Sequence, residues 1–131
     1  MWKTANRRII LDLIADHRNA AWDPSAVLRD RAQSRTYDGA AAARCMLRTL
    51  YDEGFSNVQT VVHRVVADRT GAAVEYTLRG RHTGVFAGIR PTGRDVVLPM
   101  VILCEIRNGR IVCADLFYDT GVLLRQFNLA L

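Results

Sequence analysis

Two residues of this chain carry proton-transfer chemistry in settings where it would be useful. His82 stands in Gly80-Arg81-His82-Thr83-Gly84, on the strand parity of Val74, Tyr76 and Leu78, and an imidazole with an ordinary pKa near ~6.5 exchanges a proton at neutral pH. Tyr118 is the one hydroxyl on the apolar face of the last strand, where a phenol can orient a carbonyl or stabilise a developing oxyanion. Each has a competing structural role: a hydrogen bond from His82 to a backbone carbonyl of the glycine-rich loop, and local packing of the Tyr118 ring. His63 and Arg64 alternate on a strand, so one must face inward; an unpaired inward arginine is costly, which makes His63 the candidate for the interior. Tyr76 has inward parity and reads as a pocket wall, Glu75 as an outer-face residue. His17 ends an apolar helix face and reads as a packed core histidine. Asp119, just ahead of Thr120, reads as a helix cap.

The motifs that are missing narrow the chemistry. The sequence holds no Gly-x-Ser-x-Gly elbow, no Gly-Lys-Ser/Thr phosphate cradle and no His-x-x-x-His, and its serines, Ser25, Ser34 and Ser56, sit in polar stretches. Gly80, Gly84, Gly88 and Gly93 neither follow a parallel strand nor open a helix, so they make no dinucleotide fingerprint. Cys45, Cys104 and Cys113 lack metal-ligand spacing and read as free thiols. No cofactor and no metal is expected.

The elements that must position these groups follow from periodicity. Asn6, Ile9, Ile10, Leu13, Ile14 and His17 share one face of a helix over 4–19. A second helix starts at Gly39, capped by Asp38, and stops at Gly54, with Ala43, Met46, Leu47, Leu50 and Tyr51 as its stripe. The first strand is expected within Ala26 to Tyr37, although Arg29, Asp30 and Arg31 interrupt its pattern. Val58 to Val66 and Ala72 to Arg81 form a hairpin around Asp68 to Gly71, 83–94 is irregular, and Asp95 to Arg107 pairs with Ile111 to Tyr118. For this last hairpin a three-residue loop, with Gly109 left-handed and Ile106 opposite Arg110, gathers Met100, Ile102, Cys104 and Ile106 beside Val112, Ala114, Leu116 and Tyr118 on one apolar face. Val101, Leu103, Glu105, Ile111, Cys113, Asp115 and Phe117 take the other face, which separates Cys104 from Cys113.

At 131 residues, 50% of them hydrophobic, residues 1–131 form one domain able to bury a core and a small pocket. The net charge is +5, but the basic residues are nearly all arginines scattered singly and in pairs, which argues against a nucleic-acid interface. No apolar run reaches the ~20 residues that span a bilayer, and no signal peptide opens the chain, so a cytoplasmic location is expected.

Four segments, Gly80 to Gly84, Gly88-Ile89-Arg90-Pro91-Thr92-Gly93, the Asn108-Gly109 turn and Tyr118 to Gln126, carry a resemblance to the SnoaL-like polyketide cyclase family, extending from about Arg35 to the C-terminus. The resemblance implies an α+β fold, the cone of the nuclear transport factor 2-like superfamily: a curved antiparallel sheet wrapped around N-terminal helices with an internal apolar pocket. It implies a homodimer packed through the convex face and a small apolar molecule as ligand. His82 matches the family's Gly-x-His-x-Gly and would sit near the pocket mouth. Met100, Ile102, Cys104, Ala114 and Leu116, with His63 and Tyr76, would line the pocket, and His82 and Tyr118 would act on the substrate. The family's cyclases use an Asp helped by a His on the neighbouring strand; those positions are Ile102 and Leu116 here, which hold no proton to exchange. The expectation is therefore a cofactor-independent cyclase, isomerase or dehydratase acting on a small apolar carbonyl or polyketide-like compound without that dyad. The alternative is a non-catalytic binding or dimeric interaction protein of the same fold.

Overall fold

The computed structural model describes residues 2–129, so Met1, Ala130 and Leu131 of the expected domain lie outside the described residues. Helix α1 (Trp2–Ala15) buries Ile10, Leu13 and Ile14. It ends earlier than its periodicity suggests, because the Asp16 side chain turns to accept from the Arg18 backbone N–H and starts a separate 3₁₀ turn, His17–Asn19. His17 stays buried, as its place at the end of the stripe foretold.

The charged triplet is no interruption. Strand β1 (Trp22–Asp30) runs straight through it and, after a reversal at 31–34, pairs antiparallel with β2 (Arg35–Asp38). Residues 26–37 thus hold parts of two strands rather than one. Alternation survives: Leu28 and Asp30 are buried while Arg29 is exposed. Helix α2 (Ala40–Arg48) starts without a side-chain cap: Gly39 occupies that position with φ +92° and donates its N–H to the Ala26 carbonyl, and Asp38 belongs to β2. The helix then widens into a π turn, Thr49–Glu53, before Gly54.

Strands β3 (Phe55–Ala67) and β4 (Gly71–His82) form the first hairpin, closed by Asp68, whose Oδ1 accepts from the N–H groups of Thr70 and Gly71. Strands β5 (Asp95–Arg107) and β6 (Arg110–Phe117) form the second, and α3 (Thr120–Gln126) follows, capped by Asp119 as expected. The β5–β6 turn corrects the expected register. Asn108 and Gly109 are both left-handed, so the loop has two residues and Arg107 faces Arg110. A bulge one step on absorbs Val112, after which Cys104 faces Ala114 and Ile102 faces Leu116. The apolar face therefore keeps Met100, Ile102, Cys104, Ile106, Ala114 and Leu116 with displaced partners, while fully buried Ile111 takes the place expected for Val112, which leaves the core. Cys104 is buried and Cys113 half-buried, both free thiols.

All six strands make one curled sheet in the order β2-β1-β6-β5-β4-β3, antiparallel except where β1 runs parallel to β6. It wraps around α1 and α2, and the core between them is filled by side chains such as Tyr76, Leu78, Leu98, Met100, Ile102 and Leu116. This is the expected α+β cone. No helix among the described residues is long and apolar enough to cross a membrane.

Candidate functional site

The cavity with chemistry around it opens where the β1–β2 turn, the 83–94 loop and α3 meet. Its volume is about 330 Å³, and Gln33 and Arg35, Ile89, and Tyr118, Leu123 and Leu124 supply its walls from those three sides. Behind the wall lies a polar cluster assembled from β1, its turn and the end of β6. Asp30 is wholly buried and accepts three hydrogen bonds: from the Gln33 backbone N–H (3.0 Å), the Gln33 side-chain amide (2.9 Å) and the Tyr118 hydroxyl (2.8 Å). The same Gln33 amide donates to the Tyr118 oxygen at 2.7 Å. The turn that brings Gln33 back over Asp30 is what closes the cluster, and β6, running parallel to β1, delivers Tyr118 beside it. Burial, reinforced by the Asp30 charge, raises the Tyr118 pKa far above the ordinary phenol range. At neutral pH Tyr118 is therefore a neutral hydroxyl backed by a carboxylate. That pair can hand a proton to a carbonyl-bearing ligand or take one from it.

Tyr118 thus lines this cavity, which is not the internal pocket expected beside Met100, Ile102 and Leu116, and His82 does not line it. His82 is 0% exposed and belongs to the support of α3. Its Nδ1 accepts from the Thr92 backbone N–H at 3.2 Å and lies 3.0 Å from Thr92 Oγ1, while its ring stacks on Phe127 with centroids 4.1 Å apart. Since Nδ1 accepts, the ring proton sits on Nε2, which has no partner among the described residues. The bond foreseen from His82 to a backbone carbonyl of the glycine-rich loop is not formed: the loop donates to the ring instead, through the Thr92 N–H. Phe55 and Phe86 complete a chain of ring contacts from His82 to Tyr118, so the two expected catalytic residues share packing and no common cavity.

Burial lowers the His82 pKa, and the sign of its effect on stability follows. Above pH ~6.5 the ring is neutral in folded and unfolded chains alike; below it the unfolded chain takes up a proton that the folded protein resists, so stability falls with pH by up to ~1.4 kcal/mol per unit. Thermal denaturation between pH 7.5 and 5.0 should show a steeper loss for the native protein than for His82→Phe, which keeps the ring stack and cannot titrate. Equal slopes would refute the assignment.

The remaining expected site residues separate. His63 is exposed, with Nε2 2.7 Å from Thr77 Oγ1. The inward placement fails because β3 is an edge strand and bulges at His63, between the Val62–Tyr76 and Arg64–Glu75 pairs. Tyr76 is buried with its hydroxyl 2.7 Å from that of Tyr51, whose pKa is pushed up to about 12 by burial. Met100, Ile102, Ala114 and Leu116 belong to the packed core, as does Cys104, whose thiol burial pushes up to about 12. Of these only Tyr118 reaches the α3 cavity; Met100 and Cys104 each touch a groove lined mainly by outer-face residues. Asp30 and Gln33 are the functional candidates that sequence reasoning missed. The available signal was a carboxylate on the same parity as Leu28, in a strand that otherwise buries that face. Among the described residues no three His, Cys, Asp or Glu side chains gather in a way that could hold a metal ion.

Comparison with known proteins agrees with this architecture. The family model for SnoaL-like polyketide cyclases matches residues 10–127. A SnoaL-like protein from Jannaschia sp. CCS1 superposes with a TM-score of 0.87 at 20% identity, over 99% of this chain and 96% of its own. TsrD from Streptomyces laurentii gives 0.83 at 18% identity over 99% of both chains. A LEH-like epoxide hydrolase from M. tuberculosis gives 0.69 at 20% identity, over 96% of this chain and 94% of its own. At these identities the likeness establishes the fold. No curated protein matches the chain significantly.

Proposed function

We propose, from the premise that this chain belongs to the SnoaL-like polyketide cyclase family, that it is a cofactor-independent enzyme moving protons on a small, largely apolar carbonyl compound, with Asp30 as the base and Tyr118 as its relay. The observation that carries this reading is a wholly buried carboxylate bonded to the hydroxyl of the one tyrosine that lines the α3 cavity. Small-molecule sites usually take that form, mostly apolar with a few convergent polar groups. The step balances without a free phenolate. A carbon–hydrogen bond beside the ligand's carbonyl breaks, its proton passes to the Tyr118 oxygen, and the Tyr118 proton moves to Asp30 in the same event. The electron pair left behind becomes an enolate, which can close a ring or be reprotonated elsewhere. The missing family dyad at Ile102 and Leu116 is no obstacle, because this cluster sits on β1 and at the end of β6.

Solvent deuterium entering the α-carbon of 2-tetralone, followed by NMR, tests the reading without knowledge of the natural substrate. Exchange above the buffer rate, lost when Asp30 or Tyr118 is changed, supports it. Saturable binding of the ketone without exchange would sink it and leave the non-catalytic binder.

The outer face of the sheet supports a second element of the reading, a homodimer. Leu103 is 48% exposed and Phe117 41% exposed there, beside Val101 and around the Arg29–Asp115 ion pair, which is bidentate at 2.6 and 2.9 Å. An apolar face of this kind marks interaction surfaces. Sedimentation equilibrium should give twice the 14.7 kDa chain mass, falling to one chain for Leu103→Glu. A monomeric native protein would remove this element.

A further inference from the structure

From the unneutralised guanidinium on the cavity wall, we infer that the ligand of the α3 cavity carries a carboxylate, and that Arg35 receives it. This rests on the reading of that cavity as the substrate site. The β1–β2 register sets Arg35 directly opposite Asp30, and residues opposite one another in an antiparallel pair rise from the same face of the sheet. An acid and a base so placed would be expected to neutralise each other. They do not: Asp30 gives its oxygens to Gln33 and Tyr118, and Arg35 forms no ion pair and no side-chain hydrogen bond among the described residues.

Lack of an ion pair alone does not single Arg35 out: Arg18, Arg29, Arg31, Arg48, Arg81 and Arg107 meet carboxylates, and the other arginines, Arg35 among them, form no ion pair among the described residues. What distinguishes Arg35 is its place. It lines the α3 cavity, whose other walls include Ile89, Leu123 and Leu124. Among the lining residues it is the one cation, and no carboxylate lines the cavity with it. An apolar cleft with a guanidinium at its rim fits a molecule with an apolar body and an anionic oxygen pair at one end, since the planar fork matches a carboxylate with two parallel hydrogen bonds. With the carboxylate held there, the apolar body lies against Leu123 and Leu124, and a carbonyl along it comes within range of the Tyr118 hydroxyl. Arg35 is thus a specificity residue: it selects acids over their esters and fixes which end of the ligand enters.

The test is fluorescence titration with three probes of one shape: 2-naphthoate, methyl 2-naphthoate and 2-naphthyl phosphate. Native protein should bind 2-naphthoate about tenfold more tightly than the ester, as expected for a charge-assisted hydrogen bond at a partly solvated site. Arg35→Gln should erase that preference while leaving ester binding unchanged, and Arg35→Lys should keep part of it. Leu124→Trp, which fills the cavity, should weaken all three probes. Equal binding of acid and ester, or an equal loss of both in Arg35→Gln, overturns the inference while the cavity reading stands. Tighter binding of the phosphate than of 2-naphthoate overturns the carboxylate assignment. Binding indifferent to Leu124→Trp, or no binding at all, overturns the cavity reading itself and the role of Arg35 with it.

Discussion

Asp30→Asn is expected to lower catalysed deuterium exchange into 2-tetralone by about 10²- to 10⁴-fold, the usual contribution of a positioned base. The substitution changes one oxygen into an amide NH₂, which accepts no proton. All three groups facing Asp30 are donors, the Gln33 N–H, the Gln33 amide and the Tyr118 hydroxyl, so the new NH₂ must confront at least one of them. A buried donor without an acceptor costs about 1–3 kcal/mol, and the melting temperature should fall with the rate. Tyr118→Phe separates the two effects. It removes the relay and one donor, so exchange should collapse while Asp30 keeps both Gln33 bonds and stability changes less. An unaltered exchange rate in Asp30→Asn would remove Asp30 from the chemistry.

The largest loss of stability is expected from Gly84→Ala. Gly84 and Thr83 donate their backbone N–H groups to the Gly54 carbonyl at 3.0 and 3.1 Å, which presses the 83–94 loop against the end of the π turn. A Cβ on Gly84 would lie 1.9 Å from the Glu53 carbonyl oxygen and 2.9 Å from its carbon. Both are backbone atoms, so the loop itself must move. A cost of about 3 kcal/mol follows, and for a chain of this size a melting temperature lower by about 10 °C. Gly88→Ala is the control. Gly88 has φ +74° and nothing within 4 Å of a new Cβ, so only its left-handed backbone is strained, at about 1 kcal/mol. If both substitutions cost the same, close approach is not what Gly84 provides.

These glycines show where the sequence was legible and where it was not. Their spacing excluded a dinucleotide site and marked an irregular segment, but one glycine for contact and another for backbone freedom look alike as letters. Alternation found the apolar face of β5 and β6, because burying a strand face constrains every second residue. It could not find the bulge at Val112, since the hairpin reaches the same parity with a longer loop or with a two-residue loop and an extra residue beyond it. The same ambiguity misplaced His63. Asp119 was readable as a cap because capping is local, whereas Asp30 was not readable as a site residue. Its carboxylate became intelligible only with Gln33 three residues on and Tyr118, just past the end of β6, beside it. His82 was drawn into the chemistry by its residue type, and tertiary packing gave it to Phe127 and Thr92.

The docking of α3 follows from where β6 ends. Gln126 faces β5 at Val97, accepting from its N–H at 2.6 Å and donating to its carbonyl at 2.7 Å, the same pair of bonds a neighbouring strand would have made. A side-chain amide thus stands in for a missing peptide and ties the end of α3 to the sheet, while at its start Asp119 caps the helix's own N–H groups where the chain leaves β6. A wall tied down in this way is restrained. A ligand entering the cavity meets a shape that already exists, so little ordering accompanies its arrival, and discrimination between candidates falls to fit, with molecules even slightly too large refused at the door.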